Sequence, residues 1–337
     1  MNHERRRFLQ TTTATLLGGA TMYDVITPLA TEAQEKPVTD LNAFPIVDTH
    51  QHLWDVSKFT LAWHKEAPKL AKSHVMSDYF AATRGLNVTK TVYMEVDVDP
   101  SQQVKEAEYV LDLCQRDDNP MVAAVISGRP ADHDAFKTYI SKYKDTPQIK
   151  GVRQVLHGDS TPAGFCLAPS FVKSVQLLGD LGKSFDLCMR SGELLDADKL
   201  VAQCPKTRFI VDHCGNMSVQ DKDETHRAAW KAGMKALAQR PNVICKISGI
   251  IASAKPGAWR PEDLQPNVID TLTIFGTDRC IFASDWPVCT LTASLKEWVD
   301  ALRWIVRVLS PADQRKLFHD NAVKFYGLKD KAWKEKA

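Results

Sequence analysis

Short apolar runs alternate with longer amphipathic segments along most of this chain. Eight such runs occur, at 46–53, 91–96, 121–127, 149–156, 185–190, 209–213, 243–248 and 281–285. Most are apolar throughout, which is typical of parallel strands that are covered on both faces. The pattern therefore predicts eight parallel strands that are separated by helices.

The segments between these runs carry apolar residues at helical spacing. Segment 101–116 begins with a serine cap, and similar patterns occupy 134–143, 170–181, 224–239 and 293–309, with a final helix from Pro311. No Gly-x-Gly-x-x-Gly motif follows the first strand, which argues against a dinucleotide-binding sheet. We therefore predict an α/β fold, one (β/α)8 barrel of the TIM type over 46–328. The long loop 53–77 is expected to cover the barrel mouth.

Composition and net charge indicate which kinds of molecule this protein is expected to bind. Of the 337 residues, 44% are apolar and 25% are charged, and the formal net charge is +2. A net charge this small gives no electrostatic reason to expect binding to nucleic acid or to an anionic membrane. We expect a small-molecule substrate, no nucleic-acid partner and no membrane span beyond the N-terminal segment. The eight cysteines form no Cys-x-x-Cys pair and are expected to be free, buried thiols.

The N-terminal residues have the character of an export signal. The stretch Arg5-Arg6-Arg7-Phe8-Leu9 precedes a weakly apolar segment, and small residues near position 33 offer a cleavage site. This stretch resembles a twin-arginine signal, although Glu4 and Gln10 depart from the usual pattern. We predict a signal peptide over 1–33, an extension over 34–45, a charged tail over 329–337 and a periplasmic location. The alternative is a tail that is not cleaved.

Ionisable side chains end six of the predicted strands. They are His50 and His52, Glu95 and Asp97, Arg153 and His157, Arg190, His213, and Asp285. The carboxyl ends of barrel strands meet at one rim, where active sites lie. Strand alternation also predicts that Asp48, His50 and His52 share one face. An isolated His-x-His is a weak signal, but ionisable groups at six strand ends indicate a catalytic site.

Several motifs together resemble the amidohydrolase superfamily. They are Asp48-Thr49-His50-Gln51-His52, Gly151-Val152-Arg153, Val211-Asp212-His213-Cys214-Gly215, Cys245-Lys246-Ile247-Ser248-Gly249, Ala283-Ser284-Asp285-Trp286-Pro287 and Phe318-His319-Asp320-Asn321-Ala322. Within the superfamily they are most similar to the branch of sugar-lactone and dicarboxylate-lactone hydrolases. The resemblance implies a metal-dependent-hydrolase-like TIM barrel whose mouth holds a hydrolytic site.

The resemblance also bears on cofactors. Many superfamily members hold one or two divalent metals through the His-x-His pair, a Lys or Glu after the fourth strand, histidines after the fifth and sixth, and the final Asp. Here Arg153 stands on the fourth strand, and the fifth, 185–190, contains no histidine. We therefore expect either no required cofactor or one Zn²⁺ held by His50, His52 and Asp285.

The predicted site residues match what lactone hydrolysis needs. The reaction requires a polarised carbonyl, an activated water and a proton for the departing ring oxygen. Asp285, with apolar strand neighbours, is predicted to act as base and then acid. The histidines His50, His52 and His213 are predicted to donate to the carbonyl oxygen. The predicted substrate-binding residues are Trp54, Glu95, Arg153, His157, Arg190 and Trp286.

Other interpretations remain open at this point. Arg190 has an alternative partner in Glu193, and Lys246 suits a buried ion pair with Asp48 or Asp186. At the level of function, the alternatives are a metal-dependent decarboxylase or amide hydrolase of the same superfamily, and an inactive sugar-binding barrel. The sequence leaves the oligomeric state and the identity of the lactone undecided.

Replacing Arg5 and Arg6 together by lysine should block export, because the twin-arginine pathway distinguishes arginine from lysine at this pair. Arg7→Lys, which changes the variable position of the pattern, is the matched control. Cell fractionation with immunodetection measures the periplasmic share of each variant. An unchanged periplasmic share in the double variant would contradict the twin-arginine interpretation.

Overall fold

Eight parallel strands follow one another in chain order around a barrel. The structure is a computed structural model that describes residues 44–334. The strands are β1 (Ile46–Gln51), β2 (Val88–Met94), β3 (Met121–Ser127), β4 (Ile149–Leu156), β5 (Ser184–Met189), β6 (Arg208–Val211), β7 (Val243–Ile247) and β8 (Cys280–Phe282). First and last strands meet where the His52 amide donates to the Trp286 carbonyl at 2.8 Å. The predicted signal segment 1–33, residues 34–43 and residues 335–337 lie outside the described range.

Helices cover the outside of the barrel, which confirms the predicted (β/α)8 architecture. They are α1 (Met76–Thr83), α2 (Gln103–Gln115), α3 (His133–Ser141), α4 (Pro169–Asp180), α5 (Leu194–Gln203), α6 (Glu224–Ala238), α7 (Pro261–Phe275), α8 (Leu295–Val306), α9 (Pro311–Arg315) and α10 (Asn321–Tyr326). The apolar pattern did not indicate α1, α5 or α7. The first two are short, and α7 contains Pro266, a residue that usually interrupts a helix. Within the described range, no helix combines the length and apolarity needed to cross a membrane.

Six strands end one to three residues earlier than their apolar runs predict, and for β6 and β8 the backbone shows why. β6 stops at Val211 rather than His213, and β8 stops at Phe282 rather than Asp285. Both predicted end residues have a left-handed backbone, with φ of 52° at His213 and 56° at Asp285. This conformation is incompatible with a strand, so the chain turns there and redirects the side chain.

The first strand departs from regular alternation. Its pairing with β2 shifts register after Asp48. Asp48 accepts hydrogen bonds from the Tyr79 hydroxyl on α1 and from the Ser284 amide, both at 2.8 Å. His50 instead contacts Lys246 inside the barrel. The prediction that Asp48 and His50 share a face is therefore wrong, because the irregularity interrupts the two-residue period.

The last helix closes the amino-terminal end of the barrel. Tyr326 of α10 and Leu328 form one buried apolar cluster with Val47 of β1 and with residues of other strands. Burial of this cluster removes apolar surface from water and stabilises the closed end. In the described part of the tail, the Lys331 ammonium donates to the Met121 carbonyl at 2.7 Å. The tail therefore contacts the same end of the barrel.

All eight cysteines are free and buried, as predicted. Burial raises the pKa of the Cys188 thiol, for example, to about 12. A thiol that stays protonated is a weak nucleophile and packs as a small apolar side chain.

Glu106 of α2 is a fully buried carboxyl beside β2. Its Oε1 accepts hydrogen bonds from the Val96 amide at 2.9 Å and the Tyr93 hydroxyl at 3.0 Å. Its Oε2 has no hydrogen-bond partner in the described part of the chain. Burial, together with the nearby carboxylate of Glu95, raises the pKa of Glu106 from 4.5 to about 8. The folded state therefore favours the neutral carboxyl.

Folding stability should consequently fall as the pH rises from 4.5 to about 8. Across this interval the folded protein retains a proton on Glu106 that the unfolded chain has lost, so the free energy of unfolding drops by up to ~1.4 kcal/mol per pH unit. Glu106→Gln, which mimics the neutral form, should flatten this slope. Urea unfolding across the interval measures it, with the exposed Glu108→Gln as control. A wild-type slope in Glu106→Gln would contradict the assignment.

Candidate active site

An open cavity of about 350 Å³ lies at the carboxyl ends of the strands. It is lined by His52, Trp54, Trp63, Ala67, Leu70, Val96, Asp97, Arg153, Val155, His157, Cys188, His213, Asn216, Gly249, Ala252, Asp285, Val288 and Leu291. The loop after β1 covers part of the barrel mouth, as predicted, because it contributes Trp54 and Trp63. Their indole N–H groups donate to the backbone carbonyls of Lys72 and Val96 at 2.6 and 2.8 Å. These hydrogen bonds leave mainly apolar ring surface for the cavity.

Asp285 and His52 face each other in this cavity. His52 Nδ1 lies 3.0 Å from the Met94 carbonyl oxygen, and His52 Nε2 lies 3.2 Å from Asp285 Oδ1. A carbonyl oxygen only accepts, so Nδ1 carries a proton. Nε2 and the carboxylate oxygen would then oppose each other as two acceptors unless a proton or a cation lies between them. The pair therefore holds an exchangeable proton or binds a cation.

Arg153 on β4 is held from two sides. Its Nε donates to Glu95 Oε1 at 2.7 Å, and its Nη2 donates to the Glu95 carbonyl oxygen at 2.8 Å. Its Nη1 lies 3.1 Å from His50 Nε2. A guanidinium only donates, so His50 Nε2 accepts in this contact. Its Nδ1 lies 3.3 Å from the Lys246 ammonium, which is also a donor, and 3.6 Å from Asp212 Oδ1. Burial and the charge of Lys246 keep the pKa of His50 well below its ordinary value, in agreement with a neutral ring.

A lysine joins two aspartates inside the barrel. Lys246 Nζ lies 2.5 Å from Asp186 Oδ2 and 3.0 Å from Asp212 Oδ1, and all three side chains are fully buried. Burial opposes the charge of Lys246, but the two carboxylates raise its pKa above the ordinary value. Burial likewise opposes ionisation of Asp212, yet Lys246 holds its pKa well below the usual range. The predicted pairing of Lys246 with Asp186 is confirmed, and the alternative pairing with Asp48 is wrong.

His213 lines the cavity in a position that depends on a glycine. Its Nδ1 lies 3.0 Å from Ser248 Oγ, and its ring centroid lies 4.5 Å from that of His50. A Cβ on Gly249 would lie 2.3 Å from His213 Nδ1, and Gly249 itself has a φ of 61°. Only glycine meets both conditions. Burial lowers the pKa of His213 despite the opposing carboxylate of Asp285, which favours a neutral ring.

Backbone strain concentrates around the cavity. In residues 44–334, the non-glycine residues with positive φ are Asp97, His213, Cys214, Asn216 and Asp285. Four of these five line the cavity, and Cys214 directly follows one of them. Such conformations cost about 1–3 kcal/mol each and persist mainly at functional sites. The strain therefore identifies the same place in the fold as the ionisable side chains do.

Six of the predicted site residues line the cavity, namely His52, Trp54, Arg153, His157, His213 and Asp285. His50 is fully buried, and its Nε2 lies 3.6 Å from Asp285 Oδ1. Glu95 is also fully buried, and its carboxylate accepts from Arg153 and from the Asp97 amide. Both residues lie behind the cavity surface. Their contacts within residues 44–334 are with other side chains and with backbone groups.

Arg190 and Trp286 lie away from the cavity, contrary to the expectation that they bind substrate. Arg190 donates to the Gly158 carbonyl at 2.7 Å and to Glu193 at 3.0 Å, so it clamps the loop after β4. The alternative pairing with Glu193 is the one observed. Trp286 is buried and packs edge-on against Tyr79, with ring centroids 5.3 Å apart. Its ring is covered by α1 and does not face the cavity.

Two polar lining residues, Asp97 and Asn216, were not among the predicted site residues, although the strand-end pattern included Asp97. Asp97 lines the cavity, and its Oδ1 accepts from Arg129 Nη2 at 2.7 Å. Asn216 also lines it and donates from Nδ2 to the Met189 carbonyl at 2.7 Å. A sequence signal existed for Asn216, since asparagine directly after the Asp-His-Cys-Gly motif is a residue that adopts left-handed backbone readily. Asp97 follows Glu95 at strand spacing, but spacing alone did not separate their roles.

The cavity side chains are compatible with one divalent ion. One group of ligand atoms within 4.8 Å of one another comes from His50, His52 and Asp285. Two imidazole nitrogens and a carboxylate oxygen suit Zn²⁺, although an ion there would compete with Arg153 for the lone pair of His50. A second group comes from His50, Asp212 and His213. Lys246 lies 3.0 Å from Asp212, and its charge disfavours a cation in this second group.

Comparison with known proteins agrees with these features. The Amidohydrolase family model matches residues 47–328. Proteins named L-fucono-1,5-lactonase from Burkholderia multivorans and Burkholderia ambifaria are 26% and 25% identical to this chain; the alignments cover 85% and 84% of this chain and 97% and 95% of those proteins. A solved structure of an amidohydrolase from Burkholderia multivorans with bound zinc shares the fold, with a TM-score of 0.73 and 22% identity over 84% of this chain and 99% of that chain. Because the family model spans most of its length, this chain belongs to the amidohydrolase family, as its strand-end motifs predicted.

Proposed function

We propose that this protein hydrolyses a cyclic ester, specifically a sugar-derived lactone. The proposal depends on one observation above all, the 3.2 Å contact between Asp285 Oδ1 and His52 Nε2 in a cavity of about 350 Å³. The contact calls for a proton or a cation between the two atoms, and it lies beside a space that suits one small ring. The names of the two L-fucono-1,5-lactonase relatives support the same reaction class.

Asp285 acts on water in the proposed reaction. Its side chain is 5% exposed and lines the cavity, so it reaches a bound water while largely shielded from solvent. The carboxylate takes a proton as the water oxygen bonds to the carbonyl carbon. When the carbon–oxygen bond of the ring breaks, the same proton passes to the departing ring oxygen. Asp285 therefore serves first as base and then as acid, and the proton balance closes.

His213 and Arg153 act on the carbonyl oxygen. His213 Nδ1 lies 3.0 Å from the Ser248 hydroxyl, and we assign the hydroxyl as donor in this contact. The neutral His213 ring then carries its proton on Nε2 and donates it in a hydrogen bond to the carbonyl oxygen. Arg153 adds a fixed positive charge, which stabilises developing negative charge more strongly in an apolar cavity than in water. His50 does not touch the ligand in this mechanism. It positions Arg153 and Asp285 from below the cavity surface.

The same proposal makes a metal optional. A divalent ion held by His50, His52 and Asp285 would supply Lewis-acid polarisation of the carbonyl. The chain itself already places an imidazole donor, His213, and a fixed cation, Arg153, in the cavity. The polarising task is therefore assigned to these two side chains.

Asp285→Asn should lower kcat by about 10²–10⁴-fold, because asparagine keeps the shape but cannot carry the proton. Asparagine also tolerates the left-handed backbone at this position, so the fold should persist. Proton release from a panel of sugar lactones measures turnover, and thermal unfolding checks the fold. Asp278→Asn, with a side chain that is 78% exposed, is the matched control. Wild-type turnover in folded Asp285→Asn would sink the proposed role, and lactone binding by the wild type without any turnover would indicate a sugar-binding barrel.

Lactone hydrolysis should survive exhaustive chelation, since the groups assigned to polarise the carbonyl belong to the chain. Metal content and turnover are measured before and after chelation, with a sugar lactone and with an aromatic carboxylic acid. Activity that disappears with the metal and returns with Zn²⁺ would contradict the metal-free steps. Decarboxylation without lactone hydrolysis would instead identify the protein as a decarboxylase of the same superfamily.

A further inference from the structure

The cavity and the side chains joined to it by ion pairs carry more negative than positive charge. Five carboxyl groups stand against three cations, with Glu95, Asp97, Asp186, Asp212 and Asp285 on one side and Arg129, Arg153 and Lys246 on the other. Burial raises the pKa of Asp97, and that of Asp186 to about 7, while the ion pairs with Arg129 and Lys246 favour the ionised forms. An anionic ligand is therefore disfavoured by the field of the site.

The fixed cation in the cavity wall is already engaged. Among the described lining residues, Arg153 is the one lysine or arginine. Its Nε and Nη2 both donate to Glu95, and its Nη1 is shared between His50 at 3.1 Å and Asp212 Oδ2 at 3.7 Å. A substrate carboxylate would have to break this buried ion pair to reach a cation, and breaking buried pairs is costly.

Asp97 is the acid that stays open to a ligand. Its Oδ1 accepts from Arg129, while no hydrogen bond within residues 44–334 reaches its Oδ2, and 41% of its side chain is exposed. Its backbone has a φ of 50°, and its amide donates to Glu95 Oε2 at 2.7 Å. The left-handed backbone at Asp97 is locally strained, and it directs the carboxylate toward the cavity.

The rest of the wall offers few hydrogen bonds. The indole N–H groups of Trp54 and Trp63 donate to backbone carbonyls and are therefore not available to a ligand. The lining residues Leu70, Val288 and Leu291 are apolar. A ligand that fits has one hydroxylated edge and one apolar face, with no need for a charged group.

We propose that Asp97 determines substrate specificity, in that its carboxylate accepts hydrogen bonds from hydroxyl groups of an uncharged lactone and disfavours lactones that carry a carboxylate. The proposal rests on lactone hydrolysis as the function and adds the substrate class and the residue that selects it. Asp97 contributes to binding and discrimination, and the proton chemistry remains with Asp285.

The test compares matched pairs of lactones. Each pair consists of a six-carbon aldonolactone and its counterpart in which the terminal CH2OH is a carboxylate, at equal ring size. Wild-type protein, Asp97→Asn and Arg129→Gln are assayed, with Asp145→Asn as a charge-matched control whose side chain is 89% exposed and away from the cavity. Chelated and Zn²⁺-loaded preparations are measured separately, because a divalent ion adds positive charge. Asparagine suits the positive φ of position 97, so this variant should fold.

The wild type should prefer the uncharged member by about ten-fold or more in kcat/KM, because like charges repel across the partly desolvated cavity. Asp97→Asn should reduce this preference by about ten-fold, with a raised KM for the uncharged lactone. Arg129→Gln should increase the preference, and Asp145→Asn should leave it unchanged. Equal use of both members by the wild type, or an unchanged preference in Asp97→Asn, overturns the specificity role alone. Hydrolysis of neither member overturns lactone hydrolysis itself, and the specificity role falls with it.

Discussion

One buried lysine organises the interior of this barrel. Lys246 lies between two aspartates, and one of them, Asp212, has its Oδ1 at 3.6 Å from His50 Nδ1. His50 accepts from Arg153, which is tied in turn to Glu95. All of these side chains are fully or almost fully buried, where an unpaired charge would cost several kcal/mol, roughly. Removing one of these charged side chains would leave its partner buried and unpaired. The ion pairs therefore hold His50 and Arg153 in place beneath the cavity.

This arrangement also governs the proton chemistry above it. Burial lowers the pKa of His50 and His213 and so favours the neutral rings, each of which offers one donor and one acceptor. His52 Nε2 and Asp285 Oδ1 meet at 3.2 Å, the contact to which the proposed proton transfer is assigned. The backbone around these side chains is strained, since residues with positive φ cluster at the cavity. The barrel supplies the rigidity that makes such strain tolerable.

The sequence by itself determined the barrel and the location of its chemistry. Continuous apolar runs that alternate with amphipathic segments are compatible with few folds other than a parallel sheet covered by helices. Ionisable residues that follow such strands must converge at one rim, so the meeting of His52 with Asp285 was predictable across 233 positions of chain. The same reasoning placed Arg153 and His213 at the cavity. It also favoured a buried ion pair for Lys246, with Asp48 or Asp186, over a catalytic role, and the structure shows Asp186 as the partner.

Only the tertiary structure decided which of these side chains a ligand would meet. A register shift in β1 directs Asp48 and His50 to different surroundings, and left-handed turns at His213 and Asp285 redirect their side chains after the strands end. Arg190 is captured by a loop, whereas Asp97, indistinguishable from Glu95 by spacing, is left open at the cavity. Periodicity reports only the average direction of a side chain along a regular element. The direction of a residue at an irregular strand end depends instead on hydrogen bonds to residues far away in the chain, which no local pattern contains.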